Sequence, residues 1–81
     1  MSEKYVVVRS PGHWIHVGIM DRMDEREIRL IGARVVRRFT NDPIGLTTSS
    51  KGATVNETRA DVLITNGPGV FIYECKPGVW D

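Results

Sequence analysis

Six of the chain's eight arginines lie between residues 20 and 39, at positions 22, 26, 29, 34, 37 and 38, interleaved with branched aliphatic residues. Guanidinium binds phosphate or carboxylate through paired donors and stacks on aromatic faces, which an ammonium group does poorly. Eight arginines to three lysines therefore suit contact with an anion better than plain solvation. The chemistry on offer is anion recognition: nucleic acid, a small anionic nucleotide at an oligomer interface, or an acidic protein surface. The plainer reading is cross-strand pairing with Asp24, Glu27, Glu57 or Asp61, which only keeps sheet edges soluble.

The remaining reactive side chains point away from catalysis. His13, His16 and Cys75 are zinc-ligand types, but residues 13 and 16 of one strand face opposite ways, so no metal site is expected. Cys75 sits in an apolar stretch without a neighbouring base, a setting that keeps a thiol protonated and inert. Asp24, Glu25 and Glu27 fall at a solvated turn tip where carboxyl pKa values stay ordinary. Gly67-Pro68-Gly69 lacks the following helix and the lysine–serine pair of a phosphate loop, and reads as a turn. No catalytic residue and no cofactor is expected, and the chain reads as a non-enzymatic protein.

The elements that must position these groups come from a short chain. Eighty-one residues make one domain, small enough that a second molecule can usefully complete its core, so self-association is expected. Charged residues make up 26% and hydrophobic ones 41%, which argues against disorder. The net charge of +1 is uneven, with six basic and three acidic groups in 22–39 but three basic and five acidic in 40–81. A lone cysteine, no apolar leader after Met1 and no long apolar run give an expectation of a reduced, cytoplasmic protein without a membrane partner.

Lys4 to Arg9 is a β-branched strand ended by Ser10-Pro11-Gly12, and His13 to Met20 alternates, with Ile15, Val17 and Ile19 on one face and Trp14, His16 and Gly18 on the other. Residues 21–39 read two ways. As a helix, Asp21 caps the start and Ile28, Ile31, Val35 and Phe39 line one face. As strands, Asp24-Glu25 is a hairpin tip, Ile28 and Leu30 point inward, and Gly32 marks a bulge before Ala33 to Phe39. The central glycine and the β-branched content favour strands.

Residues 40–58 read as a long, polar, mobile loop, with Ile44 and Leu46 or a single helical turn able to pin its first part. Ala60–Thr65 and Val70–Cys75 are apolar strands joined by Asn66-Gly-Pro-Gly69, which the Asn-Gly pair marks as a tight hairpin. Residues 76–81 form a tail whose Trp80 can fold back over the core. The expected fold is all-β: about five antiparallel strands, twisted and partly closed like a barrel. The predicted core is Val6, Val8, Ile15, Val17, Ile19, Ile28, Leu30, Val35, Val62, Ile64, Phe71 and Ile72.

In that frame Arg34, Val36 and Arg38 share one strand face, and Arg34 and Arg38 are the expected solvent-facing pair. Arg26 and Arg29 lie on the preceding strand, and Trp14, opposite the aliphatic face, is a candidate contact residue with His16 beside it. The candidate surface is thus Arg26, Arg29, Arg34, Arg38, Trp14 and His16.

The order Tyr5-Val-Val-Val-Arg-Ser10, His16-Val-Gly18, Arg26-Glu-Ile-Arg-Leu30, Gly32-Ala-Arg-Val-Val-Arg-Arg-Phe39 and Ile72-Tyr-Glu-Cys-Lys-Pro77 resembles a family of small uncharacterised phage and prophage proteins. That family runs a Val-rich strand into an Arg-Ser or Arg-Thr pair, then a strand with a central glycine, a hairpin, an Ala-Arg motif followed by aromatics, and a closing strand. This chain departs from it at Val36 to Phe39, where the family carries tryptophans, and over 40–58, where the family is helical and alanine-rich. The resemblance implies a mobile-element origin, a host-cell cytoplasmic setting and an all-β core, and brings no activity with it. The functional expectation is a binding protein with a protein partner or a second copy of itself. Nucleic acid on Arg34, Arg38 and Trp14, or a small anionic nucleotide, are the alternatives.

Overall fold

A computed structural model describes residues 4–12, 14–38, 45–49 and 51–80, and all its strands belong to one antiparallel assembly. The strands are β1 (Tyr5–Ser10), β2 (Trp14–Met23), β3 (Glu27–Arg38), β4 (Thr54–Val55), β5 (Ala60–Thr65) and β6 (Phe71–Glu74). Residues 21–23 and 27–38 are therefore strand, with a turn at 24–26 between them, and not helix. The sheet runs β4-β3-β2-β1-β6, with β5 also paired to β3; the all-β antiparallel fold is as expected, with six strands where about five were expected, and the sheet does not close into a barrel.

Both faces of this sheet are covered, which the alternating pattern of β2 does not announce. Val6 and Val8 of β1 join Ile28, Leu30, Ala33 and Ile64 in a first core, packed further by Met20, Val62, Val70 and Ile72. Val7, between them, points the other way and joins Ile15, Val17, Val36, Leu46 and Trp80 in a second. The run of three valines is thus a strand buried on both faces, for which a continuous apolar run is the expected pattern.

Two glycines let the strands cross at the centre. A Cβ on Gly18 would stand 2.9 Å from the Cα of Ala33, so only glycine lets β2 approach β3 there. Gly32 has a φ of 60° and sits where the β3 register slips, and its N–H donates to Asp61 Oδ1 at 3.1 Å. Past this bulge β3 exchanges its second neighbour. Its first half pairs with β5 (Ile28 opposite Ile64, Leu30 opposite Val62), and its last residues pair with β4 (Val36 opposite Val55).

The expected hairpin at Asn66–Gly69 is not formed. β5 lies against β3, whereas β6 lies against β1, with Ile72 opposite Val8 and Tyr73 opposite Val7. The connection instead carries the chain from one edge of the sheet to the other. A tight turn is present one residue later than expected, where Val70 N–H donates to Gly67 O at 3.2 Å. Asn66 is occupied elsewhere: its N–H donates to Arg26 O at 3.0 Å and its Nδ2 to Asp24 O at 2.7 Å, tying the connection to the β2–β3 tip.

The described part of the 40–58 segment carries short regular elements. Gly45–Thr47 form a 3-10 turn that buries Leu46 in the second core, and Thr54–Val55 form β4; Ile44 lies outside the described residues. Trp80 folds back as expected and is 6% exposed, with its Nε1–H donated to Leu46 O at 2.8 Å. Phe71, placed in the predicted core, is half exposed because its strand parity directs it with Arg9 toward the outer face. Ile19, Val35, Val62 and Ile72 are half-buried, and Val7, Ala33, Val36, Leu46 and Trp80 complete the core.

Candidate functional site

The arginines do not assemble into one face. Arg34 and Val36 do share a face, but it is the one the tail covers, so Arg34 is not solvent-facing. Its guanidinium lies 5.6 Å from the centroid of the Trp80 ring, and its Nη2 donates to Trp80 O at 3.0 Å. Arg34 is a clamp on the chain's own tail. Arg22 and Arg29 stand directly opposite each other across β2 and β3, a like-charge pair relieved by carboxylates on either side. Arg22 pairs with Glu27 and, at 3.8 Å, with Asp24, while Arg29 reaches Asp21 at 3.7 Å.

Arg26 is exposed at the β2–β3 tip, where its backbone N–H goes to Asp24 Oδ1 at 2.8 Å. The same oxygen accepts from Glu27 N–H at 2.9 Å. These two bonds hold the Asp24 carboxyl below the ordinary carboxylate range, a correction to the expectation that tip carboxyls are unperturbed. Arg38 is exposed at the far end of β3, opposite Thr54. The four arginines of the expected surface thus lie at the tip, along β3, under the tail and at the strand's end.

Trp14 and His16 lie on the other side of the sheet from Arg34. Trp14 is opposite Ser10, and His16 is opposite Val8 on β1 and Val35 on β3, on the side of the first core. That geometry dismantles the composite of Arg34, Arg38 and Trp14, since Trp14 and Arg34 are back to back. The Trp14 and His16 rings instead stack, 6.3 Å apart and inclined by 18°. Trp14 is 56% exposed. His16 is half-buried, its Nδ1 is buried without a hydrogen-bond partner among the described residues, and burial lowers its pKa, so the imidazole is neutral at pH 7.

These rings line a groove of about 470 Å³ between the end of β1 and the β5–β6 connection. Pro11, Leu63, Ile64, Pro68 and Val70 contribute its other apolar surfaces, and none of its described lining residues is Asp, Glu, Lys or Arg. An uncharged, aromatic-lined surface of this kind binds by burial and by a few directed hydrogen bonds, not by long-range charge. The reading of the sequence found Trp14 and His16 but missed Pro11, Leu63, Pro68 and Val70. Ser-Pro-Gly and Asn-Gly-Pro-Gly signal turns, and nothing local says that the two turns meet. A smaller cleft of about 340 Å³ runs past Arg22, Glu27, Arg29 and Asp61, where cations and carboxylates alternate.

Among the described residues no three of His, Cys, Asp or Glu converge as metal ligands, and His13 lies outside them. Cys75 is half-buried beside the second core, and burial raises its thiol pKa to about 11. No helix is long and apolar enough to cross a membrane among the described residues. No protein family, curated protein or solved structure matches the chain.

Proposed function

We propose that the chain is a non-enzymatic binding protein of phage or mobile-element type, and that it engages a protein partner through the Trp14 groove and not through an arginine face. The observation that carries this is Trp14 itself, 56% exposed and stacked on His16 in a groove with no formal charge in its described lining. A large amphipathic ring held rigidly at low entropic cost is what protein-binding hot spots are made of. The uncharged lining favours an apolar or neutral segment of a partner over a polyanion, whose binding draws mainly on phosphate contacts.

A photo-crosslinking residue placed at position 14 in the producing cell tests this. The expected result is one discrete polypeptide adduct, with none from the same residue placed at exposed Thr58. Oligonucleotide anisotropy at two salt concentrations supplies the opposing arm. Micromolar, salt-sensitive binding lost on Arg37→Ala, Arg38→Ala overturns the protein-partner reading in favour of nucleic acid.

A further inference from the structure

Among the described residues three strands have a neighbour on one side only, and they are not equally protected. β4 is two residues long. β6 is four residues long, ends on Glu74, which is ion-paired with Lys4, and is followed by Lys76 and Pro77. Short length, charge and proline are the usual guards of a sheet edge. β5 is the longest of the three, six residues of Ala-Asp-Val-Leu-Ile-Thr without lysine, arginine or proline, although Arg59 precedes it and Pro68 follows three residues on. Its single charge does not guard it, because the Asp61 carboxylate is turned to the Gly32 N–H of β3.

Beside that edge the first core is incompletely covered. Ile28 and Leu30 of β3 are fully buried, while Val62, opposite Leu30 on β5, is only half-buried. Leu63, directed to the outer face, is 63% exposed and is the most exposed large apolar residue described. Ile31 lies on the same face, two residues along β3 from Arg29, the ladder partner of Leu63, and is also exposed.

We propose that β5 pairs antiparallel with β5 of a second copy of this chain, in the register that sets Leu63 against its own counterpart. A two-fold pairing places opposite one another the residues equally spaced about the centre. Val62 then meets Ile64 of the second copy on the inner side, so each molecule completes the apolar edge of the other. On the outer side the two Leu63 side chains meet, and Asp61 stands across from Thr65 of the second copy, so no charge meets a like charge. Moving the centre to Val62 sets Ala60 against Ile64 and Asp61 against Leu63, which wastes the apolar side chains. The strand is thus self-complementary in one register, which is the requirement for an isologous interface.

This inference does not rest on the Trp14 groove, although Leu63 borders both. Sedimentation equilibrium of the full chain is expected to give twice the 9.1 kDa chain mass in the micromolar range. Leu63→Lys sets two ammonium groups face to face at the axis and is expected to weaken dimerisation at least about tenfold. Its far-ultraviolet circular dichroism should stay unchanged, since residue 63 is exposed. Leu63→Cys in a Cys75→Ser background is expected to form a symmetric disulfide dimer under mild oxidation, whereas Thr58→Cys does not. A wild-type monomer at hundreds of micromolar, a dimer indifferent to Leu63→Lys, or position 63 cross-linking only to a foreign polypeptide overturns the proposal. Trp14→Ala should leave the dimer intact, so the groove and the edge fail or survive separately.

Discussion

The Arg34 guanidinium covers the Trp80 ring at 5.6 Å and its Nη2 donates to the Trp80 carbonyl at 3.0 Å, joining the middle of β3 to the chain's last described residue. One cation thereby holds both ends of a small lid: the ring it stacks on seals Val7, Val17 and Val36, and that ring's Nε1–H reaches Leu46 O. Trp80→Ala removes the lid and is expected to cost about 3–5 kcal/mol, enough to unfold much of an 81-residue domain. Trp80→Phe keeps most of the packing and loses the bond to Leu46, at about 1 kcal/mol. Urea denaturation of the two variants checks the order.

Arg34→Lys is expected to behave nearly like Arg34→Ala. Lysine supplies a charge but not a plane that lies over the Trp80 ring while one of its nitrogens donates to the Trp80 carbonyl. Both variants should destabilise by about 1–2 kcal/mol. Neither should alter cross-linking from position 14, because Trp14 is on the opposite face of the sheet. A loss of partner binding in Arg34→Lys at unchanged stability would return this arginine to the binding surface.

The two central glycines should respond differently to alanine. At Gly18 the new methyl meets the backbone of Ala33 at 2.9 Å, so the strands must part, at a cost of about 1–3 kcal/mol. At Gly32 no atom lies within 4 Å, and the cost is only that of a left-handed φ of 60°, about 1–2 kcal/mol. Thermal melts of the two variants give the ranking, and a high-resolution structure of Gly18→Ala should show β2 displaced from β3.

How much of this was legible from residues alone depends on whether the signal is local. Alternation placed β2, and the β-branched content with Gly32 at the centre favoured strands over a helix for 21–39 without deciding between them; the structure has strand at 21–23 and 27–38, with the bulge at Gly32. The partners of β5 and β6 were not legible, because Asn-Gly reports backbone freedom and says nothing of which strand lies alongside. The same gap hid the groove, which exists only because the β5–β6 connection crosses to meet the β1–β2 turn. Arg34 misled for a related reason: strand parity fixes the face it shares with Val36 but not that Trp80 returns from 46 residues away to cover it.

Asp24 makes the β2–β3 tip acid-sensitive. Its carboxylate accepts from the Arg26 and Glu27 N–H groups, which lowers its folded pKa below the ordinary 3.8. A carboxyl depressed in the folded state stabilises above its unfolded pKa, and the contribution is lost as pH falls through the folded value. Asp24→Ala should therefore differ from wild type at pH 7 and converge with it only once the pH has fallen below the lowered folded pKa. Amide exchange at Arg26, Glu27 and Asn66 reads the effect directly, since Asn66 is tied to the same tip. Equal exchange in the two proteins at neutral pH would remove Asp24 as the pin.

His16 sets a second acid limit, in a different window and with the opposite charge. Val8 and Val35 flank it across the ladders, Trp14 stacks on it, and no described groove residue offers a carboxylate to stabilise an imidazolium there. Burial lowers its folded pKa below 6.5, and so between that folded value and 6.5 the unfolded chain binds more protons than the folded one. Stability from this group is fully present above 6.5 and falls as the pH drops toward the folded pKa. His16→Leu should abolish that part of the pH dependence while leaving the Asp24 limit in place. Imidazole proton resonances followed by NMR titration are expected to show a midpoint below 6.5. A midpoint at or above it would mean that a negative group faces His16, and would recast the groove as a site for a basic partner.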